Sequence, residues 1–229
     1  MASAPPDLLV LRTQESHSGP APWELGRLPG FSLYGGGRVI VPGEPAGALQ
    51  TAREFPLSGP QYEKVMADAR AVGLGRARTY EDSSSTDASL LRVALRTTEG
   101  LRTTRIVAPE SGGTGSREEL LEYVERLPDA PRGGGAREFR PTALAVLATS
   151  GVSAGSASAT PWPLRPLSEG TWTREGRCTV LTGDPLAQAQ RLARDARQDS
   201  RWTSGGSLYA VSFRPLLPDE HTCRDLDVR

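Results

Sequence analysis

Residues 91–107, LRVALRTTEGLRTTRIV, form two similar halves around a glutamate and a glycine. In the first half every second residue from Leu91 to Leu95 is apolar, a period that is typical of a strand with one buried face. The second half has the length and composition of a returning strand. With Glu99-Gly100 as the two-residue turn, the sequence predicts an antiparallel hairpin whose arginines and threonines lie on the solvent face.

Two further apolar segments are predicted to be strands. Residues 31–34 and 38–41 are prone to β-structure and flank three glycines, residues 35–37, so they predict a second hairpin. The glycines supply the positive φ angle that a tight turn needs. Residues 142–149 form the most continuous apolar run, which favours a strand covered on both faces, with a short buried helix as the alternative.

Three helices are predicted from apolar residues at helical spacing. The first follows Ser58, which stands three residues before Gln61, and the second begins at Ser116, which stands three residues before Glu119. Both spacings match a capping box, in which the two side chains satisfy backbone N–H groups at the start of a helix. The third helix begins at Asp184, a good capping residue followed by a proline.

The order of these elements favours an α+β fold, in which a mostly antiparallel sheet is built from hairpins and about three helices pack on it. We predict that residues 1–27 form an N-terminal strand and loop, that residues 28–223 form a single α+β domain, and that residues 224–229 are a tail. An alternative division of that domain gives two lobes, residues 28–131 and 137–223.

Composition excludes several classes of protein. The chain has 229 residues, and its 27 basic residues balance its 27 acidic residues, so the net charge is zero. That balance argues against nucleic-acid binding. No run of eighteen apolar residues exists, so no membrane span is predicted. The first residues lack the charged and apolar regions of a signal peptide, which predicts either a cytosolic chain or a mature form whose signal has been removed.

One pattern predicts a serine hydrolase. Residues 151–155, GVSAG, match the G-x-S-x-G nucleophile elbow around Ser153, and Asp219 and His221 follow in the chain order of α/β-hydrolases. The elbow requires a helix directly after the serine, whereas serines, a threonine and Pro161 follow here. The chain also lacks the regular β–α alternation of that fold, so we predict no enzyme and no catalytic residues.

Cofactor and metal sites are not predicted either. The sequence contains no glycine-rich phosphate-binding motif of the G-x-x-x-x-G-K-[ST] type. Its two cysteines, Cys178 and Cys223, stand 45 positions apart without the other ligands of a zinc site.

Tryptophans are the candidate binding residues. Trp162, Trp172 and Trp202 lie in the second half of the chain, in loop-like sequence. Aromatic side chains on loops can form a surface for sugars or proteins. The alternative is that they fill gaps between the loops and the sheet.

The chain resembles a family of uncharacterised actinobacterial envelope proteins, many of which are predicted to be secreted proteins or lipoproteins. The resemblance extends from about Leu8 to Cys223. It rests on Leu9-Val10-Leu11-Arg12, Leu28-Pro29, Phe31-Ser32-Leu33-Tyr34-Gly35, Gly37-Arg38-Val39-Ile40, Pro141-Thr142-Ala143-Leu144-Ala145-Val146, Trp162-Pro163-Leu164, Arg177-Cys178-Thr179-Val180, Gly183-Asp184, Trp202-Thr203-Ser204-Gly205-Gly206 and Phe213-Arg214-Pro215-Leu216-Leu217-Pro218-Asp219-Glu220. The sequence departs from the family at Gly36, where an acidic residue is usual, and it has no cysteine for a lipid anchor.

This resemblance implies no activity, but it implies an extracellular or envelope location and a disulfide bond. An exported protein would form a disulfide between Cys178 and Cys223, whereas two free thiols are the alternative in a reducing cytosol. We therefore predict a non-catalytic, extracellular or envelope domain that binds a protein or a cell-wall component. The alternatives are the Ser153 hydrolase and a cytosolic regulatory or immunity-type binding protein.

Overall fold

The computed structural model describes residues 5–17, 24–81, 88–129, 135–151 and 159–227. The chain divides into two compact units. The first unit contains the described residues of Met1–Ala21, Pro29–Pro42 and Arg53–Phe139, and the second contains those of Pro22–Leu28, Gly43–Ala52 and Arg140–Arg229. Each unit is built around its own sheet.

The first unit contains an eight-stranded sheet and two helices. Its strands are β1 (Leu9–Ser16), β2 (Phe31–Tyr34), β3 (Arg38–Pro42), β4 (Ala52–Pro56), β5 (Arg78–Tyr80), β6 (Leu90–Thr97), β7 (Gly100–Val107) and β8 (Arg137–Glu138), and its helices are α1 (Gly59–Ala71) and α2 (Ser116–Arg126). The strand order is β5-β7-β6-β1-β2-β3-β4-β8. Leu11, Leu33 and Val93 of the sheet form one core with Val65 of α1 and Leu120 of α2.

Both predicted hairpins form, β2–β3 and β6–β7. Leu91, Val93 and Leu95 are buried, as the alternation predicts. The predicted turn is wrong by one residue, because Thr97 pairs with Gly100 and the loop is therefore Thr98-Glu99.

The two predicted capping boxes have different outcomes. The Ser58–Gln61 box is confirmed, since each side chain meets the backbone N–H group of the other residue. The Ser116–Glu119 box is wrong. Gly115 is the residue that precedes α2, and its backbone angles, φ 58° and ψ −133°, suit only a glycine. Ser116 lies inside the helix, where its hydroxyl accepts a hydrogen bond from the Tyr80 hydroxyl at 3.2 Å.

The second unit contains a six-stranded sheet and one helix. Its strands are β9 (Ala143–Ser150), β10 (Ala159–Pro161), β11 (Thr171–Thr173), β12 (Gly176–Thr182), β13 (Arg201–Ser204) and β14 (Ser207–Pro215), and its helix is α3 (Gly183–Asp195). The strand order is β10-β13-β14-β9-β12-β11. A short 3-10 turn, Cys223–Leu226, follows the last strand and buries Leu226.

The apolar run at residues 142–149 is a strand, as predicted, and both its faces are buried. Leu144 and Val146 contribute to the core that contains Ala189 of α3. Ala145 and Leu147 point to the opposite face and pack with the two cysteines. A central strand with two covered faces explains why the run is continuously apolar instead of alternating.

The predicted α+β class is confirmed, but a single, mostly antiparallel sheet is not. The described strands form two mixed sheets, because β5 pairs parallel with β7 and β10 pairs parallel with β13. The domain bounds, residues 1–27, 28–223 and 224–229, stay a prediction.

Candidate functional site

A disulfide joins β12 to the segment that follows the last strand. The Cys178 and Cys223 sulfurs are 2.03 Å apart, so neither cysteine is a free thiol. Both residues are buried, in a small core that also contains Leu25, Leu147 and Leu216. The pairing that the family resemblance implies is therefore confirmed.

The disulfide also fastens the hairpin formed by β11 and β12. Thr171 of β11 pairs directly with Cys178 of β12. At the turn of the hairpin, Arg174 forms an ion pair with Asp227, with Nε and Oδ1 3.2 Å apart. The hairpin is thus linked to the C-terminal segment at two points, one covalent and one ionic.

The three candidate tryptophans occupy two different environments. Trp162 and Trp202 pack edge to face, with ring centroids 5.4 Å apart, and both contact Phe213. Trp202 is only 3% exposed, which leaves it no surface for a ligand. Trp162 is half-buried, and its indole N–H donates to the Arg165 carbonyl at 2.9 Å. These two rings fill the core of the second unit.

Trp172 differs from both, since it is 69% exposed on the edge strand β11. The Arg177 guanidinium carbon lies 3.8 Å from the centroid of its ring. Arg177 is held in place by a hydrogen bond from Nη1 to the Gly170 carbonyl, at 3.1 Å. One face of the indole is therefore covered by a cation, and the remainder faces solvent. We call Trp172 and Arg177 the Trp172 platform.

Of the three residues in the hydrolase hypothesis, the structure describes Asp219 and His221. Ser153 lies outside the described residues. Asp219 and His221 lie in the segment after β14. The His221 backbone N–H donates to Asp225, at 2.8 Å.

The second unit also contains a cavity of about 200 Å³. Its lining includes the polar residues Gln50, Gln198 and Ser212. Arg27 adds one cationic group to the lining. The sequence gives no signal for this cavity, because its polar side chains come from segments far apart in the chain.

Comparisons with protein families, with curated proteins and with solved structures each find no match to this chain. No three His, Cys, Asp or Glu side chains among the described residues are grouped to hold a metal ion. None of the helices in the described ranges combines the length and the apolar character that crossing a bilayer requires.

Proposed function

We propose that this protein is a non-catalytic, exported domain of the cell envelope that binds a saccharide component of the cell wall through the Trp172 platform. The proposal rests on one observation, the large exposed indole of Trp172 held against Arg177 on an edge strand. Burial of the exposed apolar surface of this indole against a partner would be favourable, so Trp172 can contribute to binding. The resemblance of the sequence to envelope proteins supports the proposed location in the cell envelope.

The buried disulfide supports the location. Disulfides form and persist in oxidising compartments, and the cytosol keeps thiols reduced. Cys178 and Cys223 are both buried, so their bond is a structural element of the second unit and does not have the exposure of a catalytic or redox-sensing pair.

The surroundings of Trp172 favour a sugar over a protein partner. Large exposed hydrophobic side chains among the described residues are Trp172 and Leu101, and they belong to different units. A stable protein interface needs a broader apolar centre with several aromatic or aliphatic side chains. A single indole with one face covered by Arg177 and the other face free suits the apolar face of one sugar ring.

Sedimentation with purified cell-wall glycan tests the proposal. Wild-type protein is expected to sediment with the glycan, and Trp172→Ala is expected to weaken binding about 5- to 150-fold, because stacking on an indole contributes about 1–3 kcal/mol when the analogous base stacking is used as a guide. Trp172→Phe should retain part of the affinity. Leu101→Ala, at the other exposed apolar side chain, is the matched control and should bind as the wild type does.

Binding that is equal in wild type and Trp172→Ala would overturn the assignment of the platform. Two further measurements test the rest of the proposal. Mass spectrometry of the protein from its native host should find the disulfide intact, whereas two free thiols would favour the cytosolic alternative. A fluorophosphonate probe should leave Ser153 unlabelled, and a label there would contradict the absence of catalysis.

A further inference from the structure

Trp172 and Arg177 stand directly opposite each other in the antiparallel pairing of β11 with β12. The guanidinium group covers one face of the indole, and the 69% exposure of Trp172 leaves the rest of the ring to solvent. We infer that the Trp172 platform selects an acidic saccharide, a sugar that carries a carboxylate, and that Arg177 determines this preference. The inference rests on the proposed function, since it concerns the same site.

The contacts of Arg177 leave its charge without a counter-charge. In the described part of the chain its guanidinium group contacts the Trp172 ring, and its Nη1 group donates to the Gly170 carbonyl at 3.1 Å. Both partners are uncharged. The acidic side chains beside the turn of the same hairpin are engaged elsewhere, since Glu175 accepts a hydrogen bond from a backbone N–H group and Asp227 pairs with another arginine. An anionic group of a ligand would therefore supply the counter-charge.

The hydrogen bond to Gly170 also determines which edge of the guanidinium group can meet a ligand. Because Nη1 donates to this carbonyl, the Nε and Nη2 groups remain in the described part of the chain, and these two donate side by side on the other edge of the planar group. Arg177 is half-buried, and neither atom is among the buried donors that lack a partner. Nε–H and Nη2–H thus present a fork to solvent, the arrangement that binds both oxygens of one carboxylate in parallel.

Close packing against β12 fixes the position of Gly170. A Cβ atom there would lie 2.8 Å from the Thr179 hydroxyl oxygen and 2.9 Å from the Cys178 carbonyl oxygen. A segment packed this closely holds its carbonyl group in place, and the carbonyl orients Arg177 before a ligand arrives. Less side-chain freedom is then lost when the guanidinium group binds a ligand.

The two side chains of the platform would recognise different parts of one sugar unit. The exposed face of the indole covers the apolar face of the sugar ring. A carboxylate on a substituent that extends past the edge of the indole reaches the guanidinium fork. A cationic amino sugar is disfavoured, because the guanidinium charge repels it and already occupies the negative potential of the indole. A neutral sugar would bind through the indole alone.

Calorimetric titration at low ionic strength with trigalacturonate and with its methyl ester tests this inference, because the ester has the same sugar rings without the negative charges. The acid is expected to bind about 10-fold more tightly than the ester, the difference that a charge-assisted hydrogen bond makes. Arg177→Gln should remove this preference and leave binding of the ester largely intact. Arg177→Lys should retain part of the preference, since it keeps the charge but lacks the fork.

Arg197→Gln is the matched control, since Arg197 is an exposed arginine that pairs with Asp199 in the second unit. It should keep the wild-type preference for the acid. The inference is overturned if the wild type binds acid and ester equally, if it binds neither, or if Arg177→Gln prefers the acid as strongly as Arg197→Gln does. Sedimentation with cell-wall glycan separates this failure from failure of the proposed function. If the glycan still binds the wild type more tightly than Trp172→Ala, the platform stands and only the preference for acidic sugars is wrong.

Discussion

Arg214 and Glu220 form a two-fold hydrogen-bonded ion pair that is almost completely buried. The distances are 2.7 Å from Nη1 to Oε2 and 2.9 Å from Nη2 to Oε1, and the side chains are 2% and 3% exposed. The pair also organises its surroundings, because Arg214 Nε donates to the Arg27 carbonyl and the Leu217 N–H donates to Glu220.

Removing one partner of this pair is expected to be strongly destabilising. Glu220→Gln leaves the Arg214 charge buried without a counter-charge, and such a change lowers the free energy of unfolding by about 3–5 kcal/mol. Chemical denaturation measures the loss. The control is Glu169→Gln in the exposed Arg165–Glu169 pair, which should change the free energy of unfolding by less than ~1 kcal/mol. Equal effects of the two substitutions would contradict the buried character of the Arg214–Glu220 pair.

Gly47 is expected to tolerate no side chain. Its φ angle is 64°, and a Cβ atom there would lie 2.4 Å from the Arg194 carbonyl oxygen at the end of α3. The neighbouring residue, Ala48, donates its N–H to the Ala193 carbonyl at 2.8 Å, so this segment cannot move away without losing a hydrogen bond. Gly47→Ala should lower the free energy of unfolding by about 3 kcal/mol or more.

Gly183 offers a control for the backbone angle alone. Its φ angle is 59°, and a Cβ atom there would have no other atom within 4 Å. Gly183→Ala should therefore lower the free energy of unfolding by about 1–2 kcal/mol, the cost of the left-handed conformation. If Gly47→Ala were no more destabilising than Gly183→Ala, the close approach to α3 would not be a constraint.

The sequence predicts elements best where a repeat reveals which side chains are buried. The alternation from Leu91 to Leu95 identified β6, and the continuous run at residues 142–149 identified the doubly covered β9. Capping patterns of a few residues predicted the ends of helices less reliably. Ser116 has the spacing of a capping residue, but Gly115 can adopt backbone angles that other residues cannot, so the helix starts differently.

The candidate sites depend on contacts that local sequence does not encode. Trp162, Trp172 and Trp202 stand in similar loop-like sequence, yet Trp202 is buried against Phe213 while Trp172 stacks on Arg177 at a sheet edge. Strand order decides this difference, and strand order was not predictable from the residues around each tryptophan.

Asp225 makes the C-terminal turn sensitive to acid. Burial by itself raises the pKa of its carboxyl group. Hydrogen bonds from the His221 and Thr222 N–H groups and from the Thr222 hydroxyl together lower the pKa by more than burial raises it, so the net pKa lies below the usual 3.8. A group whose pKa is depressed by folding stabilises the fold above its unfolded pKa, and this contribution is lost as the pH falls through the folded value.

Asp225→Asn should therefore reduce stability at neutral pH and have a smaller effect in acid. Denaturation of wild type and variant at about pH 6 and about pH 3 measures the difference in free energy of unfolding at each pH. The difference should shrink at the lower pH. A difference that grows as the pH falls would show that folding raises the pKa of Asp225.

The disulfide is expected to stabilise the second unit and to hold the Trp172 platform in place. Its two cysteines are 45 residues apart, and closing a loop of this length contributes about 4 kcal/mol in the chain-entropy description. The double variant Cys178→Ala/Cys223→Ala should lose about this much stability.

Because Thr171 pairs with Cys178 one position before Trp172, the backbone amides of β11 should also exchange hydrogen faster in this double variant. Hydrogen exchange measures the second effect independently of any ligand, with the β6 amides of the first unit as the internal control. If β11 exchanged as slowly in the variant as in the wild type, the Arg174–Asp227 ion pair and the strand pairing would be sufficient to hold the platform, and glycan binding by the variant should then equal that of the wild type.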